Sequence, residues 1–197
     1  VKINYCSQCG ANDVKFRVPD GDSRPRFICT NCHFIHYQNP NIVAGCLVTH
    51  DDKILICKRA IEPRKGMWTL PAGFMENHET VEQAAARETW EEARAEIKIH
   101  GLFTLLNLPH INQVYMIYHG NLAGNDFGPG PESSEVKLID ARDTPWEELA
   151  FPTIRETLKL YIEDLEHGQL RFHCGDIIRP LVLSDSRNAW LANRKTR

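Results

Sequence analysis

The chain has 197 residues, 42% hydrophobic and 25% charged, with a formal net charge of −3. That length holds one catalytic domain of ordinary size plus a small appendage, and the composition is that of a soluble globular protein. The acidic balance gives no electrostatic argument for nucleic acid or a membrane surface as partner, and no apolar run approaches the ~20 residues needed to span a bilayer. No signal peptide is visible from Val1 onward, so a cytoplasmic place is expected unless a targeting segment has been trimmed away.

Residues 1–37 are rich in cysteine and poor in aliphatic side chains. So short a segment cannot build its own core and calls for a metal staple. Cys6-x-x-Cys9 and Cys29-x-x-Cys32 supply four thiolates, the donor set of a closed structural zinc site. Gly10 permits a tight turn after the first pair, and His33 and His36 are not needed as ligands. Redox pairs or disulfides are the competing reading. Cys46, Cys57 and Cys174 read as buried or free thiols, and the whole pattern suits a reducing compartment.

Residues 38–167 alternate strand and helix signals. Ile42–Val48 and Lys53–Cys57 read as a hairpin closed by His50-Asp51-Asp52. A loop, Glu62 to Gly66, leads to a short strand through Trp68 and Leu70. A helix is expected from about Val81 to Arg94, with Thr80 and Gln83 as a capping box. Ile97–Phe103, Val114–Tyr118 and Val136–Ile139 follow as strands, and Gly128-Pro129-Gly130-Pro131 between the last two cannot be regular structure. The last helix begins near Pro152 and ends before Gly168, with Ile154, Leu158, Tyr161, Ile162 and Leu165 as one apolar stripe. Residues 168–197 read as a polar extension with a brief apolar piece, Ile177 to Leu183. The order implies a packed sheet between helices.

The helix starting at Val81 carries the chemistry. At ~100° per residue, Glu88, Glu91 and Glu92 share one arc, and Ala86, Thr89, Trp90 and Ala93 fall opposite as the face expected to bury. Like charges at these spacings destabilise a helix by roughly 0.2–0.5 kcal/mol per pair. A divalent cation would remove the repulsion, and Mg²⁺ favours carboxylate oxygens while keeping positions open for phosphate. An acidic solvated face is the bland alternative.

Gly73, Glu79, Arg87, Glu88, Glu91 and Glu92 follow the spacing Gly-x5-Glu-x7-Arg-Glu-U-x-Glu-Glu-x-Gly-U, where U is aliphatic. At this point the chain resembles the Nudix hydrolases. Thr89 and Ala95 stand where that pattern has larger aliphatics. Arg94 stands in place of its late Gly, which implies a different helix exit. The resemblance implies an α+β chain: a Nudix α/β/α sandwich with a mixed central sheet over 38–167, preceded by a small N-terminal zinc ribbon. It also implies hydrolysis of a nucleoside diphosphate linked to another group. Carried over by position, Glu88, Glu91, Glu92 and the carbonyl of Ala72 hold Mg²⁺ or Mn²⁺, Arg87 orients the carboxylates, and Glu79 supports Arg87. Glu88 is a metal ligand, a water-orienting group, or both. In several relatives the general base comes from a distant loop; here Glu132 and Glu135 are the candidates, and Glu135 is preferred because it directly precedes a strand.

An adenine or flavin ring needs a flat apolar partner, for which Phe34, Tyr37, Trp68, Phe74 and Tyr115 are candidates alongside ordinary packing roles. Arg59, Arg64 and Lys65 precede the motif and could meet phosphates. Arg59, Trp68, Phe74 and Glu132 are taken forward as substrate-binding candidates.

The segments Tyr5–Gly10, Tyr37–Pro40, Trp68–Gly73, Gly128–Ser133, Leu149–Phe151 and Phe172–Gly175 resemble the zinc-ribbon subgroup typified by a plant plastid FAD/ADP-ribose pyrophosphatase and its bacterial relatives. That resemblance implies release of AMP from FAD or ADP-ribose, a plastid location if a transit peptide has been removed, and a homodimer as an open expectation. NADH pyrophosphatases share the ribbon, but the Ser-Gln-Pro-Trp-Pro-Phe-Pro string associated with them has no counterpart here. A non-catalytic binding module is the other class weighed, and the complete set of motif glutamates argues against it.

Overall fold

The computed structural model describes residues 2–178. The chain divides into two compact units, Val1–Pro40 and Asn41–Arg197.

The first unit is a three-stranded antiparallel sheet, β1 (Val14–Arg17), β2 (Arg26–Cys29) and β3 (Ile35–His36). Its buried hydrophobic residues are few: Cys6, Ile28 and Cys29. A core that small needs a covalent or metal staple.

The second unit is built on β4 (Asn41–His50), β5 (Lys53–Arg59), β6 (Trp68–Thr69), β7 (Ala72–Phe74), β8 (Ile97–Leu108), β9 (Gln113–Leu122), β10 (Ser133–Asp140) and β11 (His173–Asp176). The strand order is β10-β5-β4-β9-β8-β11, with β6 on β5 and β7 on β4. β4 runs parallel to β9, and β11 parallel to β8; the other pairings are antiparallel, so the sheet is mixed as expected. Asp51 and Asp52 both take positive φ, 46° and 64°, which is what a two-residue turn of the right twist demands.

Two helices, α1 (Val81–Ala93) and α2 (Pro152–His167), cover opposite faces of this sheet. Leu47, Ile54, Ile56 and Ile117 pack with Ile154, Leu158 and Tyr161 of α2. The alternating residues Cys46, Val48, Leu55 and Cys57 pack with Ala93 at the end of α1, and Ala44 with Ala84 and Ala85. Period two thus sorts each central strand into two cores, and Ile154 and Leu158, almost fully enclosed, contribute about 1.5–3 kcal/mol each. Both helices are punctuated as their sequences imply. Thr80 and Gln83 form the capping box on α1; Pro152 opens α2, and Gly168 closes it at φ 71°.

Several expectations are corrected. Of the face expected to bury, Thr89 and Ala93 are fully enclosed but Trp90 is 46% exposed, and Glu88 and Glu92 are buried as well, so the buried side of α1 takes in part of the carboxylate face. Arg94 does not change the helix exit: it takes the left-handed conformation itself, φ 50°, and its N–H caps the Trp90 carbonyl at 2.9 Å. The stripe on α2 is narrower than its periodicity suggests, because Leu165 is exposed. The sequence reading ended the domain at residue 167, yet β11 adds a strand to the same sheet at 173–176. Asp164, fully buried on α2, ties it down through Arg171 at 2.9 Å and His173 at 2.9 Å. Of the apolar piece Ile177–Leu183, residues 179–183 lie outside the described residues. Among the described residues no helix is long and apolar enough to cross a membrane.

Candidate active site

The carboxylates are assembled by one arginine. Arg87 donates to Glu79 through Nε and Nη2 (3.0 and 2.8 Å), to Glu88 through Nη1 (2.7 Å), to Glu91 through Nη1 (3.1 Å), and to the Phe74 carbonyl through Nη2 (3.1 Å). The paired bonds to Glu79 form a planar fork, which only Arg can supply. Glu79 also accepts from the Glu76 N–H at 2.6 Å. The Arg87 hydrogen bonds, helped by this N–H, hold the Glu79 carboxyl down to about 2. Glu79 therefore latches the loop before α1 to the helix, and Arg87 passes that order on to Glu88 and Glu91.

Gly73 leaves room for the Glu88 carboxylate. A Cβ there would lie 2.3–2.4 Å from the Glu88 carboxylate. Gly45 is required by packing, since its Cβ would strike the Pro71 carbonyl oxygen and the Ala72 Cβ at 2.5 Å or closer. The absence of both side chains lets the segment Pro71–Gly73 press between β4 and α1, with Cys46 N–H bonded to the Pro71 carbonyl at 3.1 Å. This brings the Ala72 backbone to Glu92.

Glu88 and Glu92 are only 9% and 5% exposed, while Glu91 is exposed. Burial raises the Glu88 carboxyl above the ordinary range despite Arg87. Burial, then the neighbouring Glu88, push Glu92 up to about 8, with Arg59 and the Ala72 backbone opposing. One Glu92 oxygen, Oε2, is buried with no hydrogen-bond partner. Two buried, mutually repelling carboxylates with an orphaned oxygen, beside a third acid, fit a hard divalent cation as the missing counter-charge.

The loop Gly128–Pro131 is seated on the carboxyl end of α1. Gly128 and Gly130 donate to the carbonyls of Ala93 and Glu92 at 2.8 and 3.0 Å, satisfying groups that a helix end leaves open. A Cβ on Gly130 would fall 1.6 Å from the Glu91 carbonyl oxygen. The loop delivers Glu132, whose charge acts on both Glu88 and Glu92 and whose carbonyl accepts from the Ala60 N–H at 2.8 Å. Glu135 goes elsewhere: half-exposed, it sits 3.9 Å from Lys58, its partner across β5. This placement does not favour Glu135, and Glu132 is the loop acid whose charge acts on the cluster.

The other candidates separate cleanly. Arg59 donates to the Pro63 carbonyl at 2.8 Å, lies 5.2 Å over the Phe151 ring and acts on Glu92. Phe74 is 55% exposed beside the Arg87 latch and keeps a ring available. Trp68 is 3% exposed, with Lys58 and Lys137 at 5.3 and 4.1 Å from its ring centre, so it is a core residue and not a substrate platform. Tyr115 is partly buried; Arg64 and Lys65 are exposed. Phe34 and Tyr37 belong to the first unit and are exposed there. Gly45 escaped sequence reading because its role depends on a strand far along the chain, as did Phe151 under Arg59. A cavity of about 430 Å³ beside β11, lined by Leu106, Leu160 and His173 among others, contains none of the candidates.

In the first unit the ligand atoms of Cys6, Cys9, Cys29 and Cys32 all lie within 4.8 Å of one another. The two knuckles share one construction. Gly10 (φ 74°) donates to the Cys6 carbonyl at 2.9 Å, and His33 (φ 59°) donates to the Cys29 carbonyl at 3.0 Å. His33 thus serves as the second turn residue. Hydrogen bonds from the Ala11 backbone, then Asn31, hold the Cys9 thiol below its usual range, whereas Cys32 is raised, against a hydrogen bond from the Phe34 backbone, by burial and the neighbouring thiols. Four sulfurs at this spacing fit tetrahedral zinc with no position left open.

Residues 4–38 match the family model "Nudix N-terminal", a zinc ribbon, and residues 39–161 match "NUDIX domain". The chain is 31% identical over 121 residues to an ADP-ribose pyrophosphatase of Methanocaldococcus jannaschii, covering 58% of this chain and 69% of that protein. It is 32% identical over 131 residues to an NAD-capped RNA hydrolase NudC of Edwardsiella ictaluri, covering 65% of this chain and 48% of the relative. The chain thus spans about half the length of that curated relative. A crystal structure of a NUDIX hydrolase from Nitrosomonas europaea superposes with a TM-score of 0.86 at 51% identity, covering 90% of this chain and all of that one. With the family's motif residues gathered at one site and its domain matched over more than half the length, the chain belongs to the Nudix hydrolase family.

Proposed function

We propose that this Nudix hydrolase is a Mg²⁺- or Mn²⁺-dependent pyrophosphohydrolase that cleaves the diphosphate of ADP-ribose, FAD or both and releases AMP. One observation carries the reading: the orphaned, buried Glu92 oxygen beside Glu88, in a cluster ordered by Arg87. Glu88, Glu91, Glu92 and the Ala72 carbonyl are the groups that would hold the cation. Once bound, it supplies neutralisation of the diphosphate and a more acidic water. The protein's own groups do the rest. Arg87 keeps Glu88 and Glu91 in place. Glu132, in the loop seated on α1 and acting on Glu88 and Glu92 by its charge, is the group we assign to take the proton of the attacking water. That water's oxygen bonds to one phosphorus as the bridging P–O bond breaks, and the bridging oxygen leaves with the other phosphate. Arg59, whose charge acts on Glu92, is the cation assigned to the phosphate charge.

The choice of ADP-ribose rests on the pyrophosphatase relative, and that of FAD on the motifs shared with the ribbon-bearing subgroup. The NudC relatives favour a second reading, an NAD-type dinucleotide, free or on an RNA end; a net charge of −3 does not exclude it. Bacterial and archaeal relatives lend no support to a plastid location. Structural zinc in the ribbon and a homodimer belong to the same reading, the latter to be checked by light scattering. The deciding experiment is a panel of ADP-ribose, FAD, NADH and NAD-capped RNA with Mg²⁺, scored by the mononucleotides released. ADP-ribose or FAD turning over fastest supports the proposal, and turnover of NAD-type substrates alone replaces it with the second reading.

A further inference from the structure

Two arginines act on the carboxylate cluster, and they are used differently. Arg87 spends all five of its N–H donors: two on Glu79 and one each on Glu88, Glu91 and the Phe74 carbonyl. It orders the acids and keeps no donor for a ligand. Arg59, whose charge acts on Glu92, spends one, from Nε to the Pro63 carbonyl at 2.8 Å. Among the described residues it makes no ion pair, and its two Nη groups have no hydrogen-bond partner.

One hydrogen bond does not fix the plane of a guanidinium at the end of a long side chain. Here an aromatic face does so as well: the Arg59 guanidinium carbon lies 5.2 Å from the centre of the Phe151 ring. Phe151 stands at the N-cap of α2, a position that favours Ser, Thr, Asp or Asn, and its side chain makes no capping bond. The ring instead packs at the margin of the α2-side core. Its backbone is held on both sides. The Ala150 N–H donates to the Trp68 carbonyl at 2.8 Å, and the Phe151 carbonyl accepts from the Arg155 N–H at 3.2 Å. Arg59 is held as firmly. Its N–H donates to the Met67 carbonyl at 2.9 Å, and its carbonyl accepts from the Gly66 N–H at 2.8 Å. The next N–H, that of Ala60, donates to the Glu132 carbonyl at 2.8 Å. Ring and cation thus meet on rigid supports, beside the loop that carries Glu132.

We propose that Phe151 is a positioning residue: its ring fixes the plane of the Arg59 guanidinium so that the free Nη edge receives the diphosphate of the substrate. This rests on the pyrophosphohydrolase reading and deepens it by naming what orients the phosphate-binding cation. Arg meets phosphate through two N–H groups in one plane, so the orientation of that plane decides whether the fork fits. The effect of Phe151 passes through Arg59.

The test is titration calorimetry of the full chain, zinc-loaded and with Mg²⁺, using ADP against adenosine. The parent should bind ADP about tenfold or more tighter than adenosine, and Arg59→Gln should lose most of that preference. Phe151→Leu, apolar but without a ring, should lose about threefold to tenfold of it with adenosine binding unchanged. Phe151→Tyr, which keeps the ring face, should bind like the parent. In the Phe151→Leu background, Arg59→Gln should cost less than it does in the parent, because the two side chains act through one contact. Should Phe151→Leu fail to fold, Arg59→Lys reads the same contact from the other side: the charge stays, the plane goes, and the preference should fall by a similar factor. The proposal is overturned by a parent that binds ADP no tighter than adenosine, by a preference intact in Phe151→Leu or Arg59→Lys, or by losses that simply add in the double variant. Binding is read without turnover, so a chain that shows the coupling but cleaves no dinucleotide refutes only the proposed activity. A chain that cleaves dinucleotides without the coupling refutes only the role of Phe151.

Discussion

Arg87 grips Glu79 through two parallel hydrogen bonds of 3.0 and 2.8 Å and holds Glu88 with the remaining nitrogen at 2.7 Å. The order of the buried carboxylates therefore starts with an acid that touches neither of them. The Glu79 carboxyl is held down to about 2, below its unfolded value, so its contribution to stability is present above about pH 4.5 and lost as pH falls toward about 2. Glu79→Gln cannot offer the charged fork. Its melting-temperature deficit against the parent should shrink between about pH 5 and about pH 3, as measured by circular dichroism.

Arg94 occupies a left-handed helix exit at φ 50°, where a non-Gly residue costs about 1–2 kcal/mol. Its guanidinium, 5.8 Å over the exposed Trp90 ring, returns only about 0.5–1 kcal/mol. Strain outweighs the ring contact, so Arg94→Gly should stabilise the protein by about 0.5–1 kcal/mol in urea unfolding. A loss of stability would mean that Arg94 has a further partner.

Gly130 leaves no room for a side chain against the Glu91 carbonyl. Gly130→Ala must lift the loop from α1, costing about 1–3 kcal/mol and displacing Glu132. Turnover should fall about a hundredfold, the scale of a lost general base, with a much smaller change in KM. Unaltered kcat would remove Glu132 from the mechanism.

Asp164 anchors β11. Burial raises its carboxyl, but hydrogen bonds from His173 and from the Arg171 backbone and side chain outweigh it and leave the group below its usual range. Its contribution is therefore present above the unfolded carboxylate value and lost as pH falls through the lower, folded one. Asp164→Asn should cost about 2 kcal/mol in denaturant and speed hydrogen exchange at residues 173–176.

Much of this architecture is local and hence legible in the sequence. Thr80 with Gln83, Pro152 and Gly168 place the helix ends, and the spacing Glu79–Arg87–Glu88–Glu91–Glu92 identifies the cluster. On α1, Thr89 and Ala93 bury as their spacing implies, but Trp90 turns outward and Glu88 and Glu92 bury too, which helical spacing alone does not reveal. The placement of the loop acids has a non-local reason. A register shift between Ser133 and Glu135 sets Glu135 opposite Lys58, while the loop that seats Gly130 on α1 carries Glu132, whose charge acts on Glu88 and Glu92. Trp68 looked available only because the two lysines over its ring come from β5 and β10, far apart in the chain.

The central claim is that Glu88, Glu91 and Glu92 hold a divalent cation for diphosphate cleavage, and Glu92→Gln tests it most directly. AMP release from ADP-ribose and FAD should be followed for the parent and this variant across a Mg²⁺ titration. The account requires metal-dependent AMP release by the parent, and a loss of about a hundredfold or more in Glu92→Gln with the fold intact. Equal turnover by the variant, or parental turnover indifferent to Mg²⁺ and Mn²⁺, would contradict it.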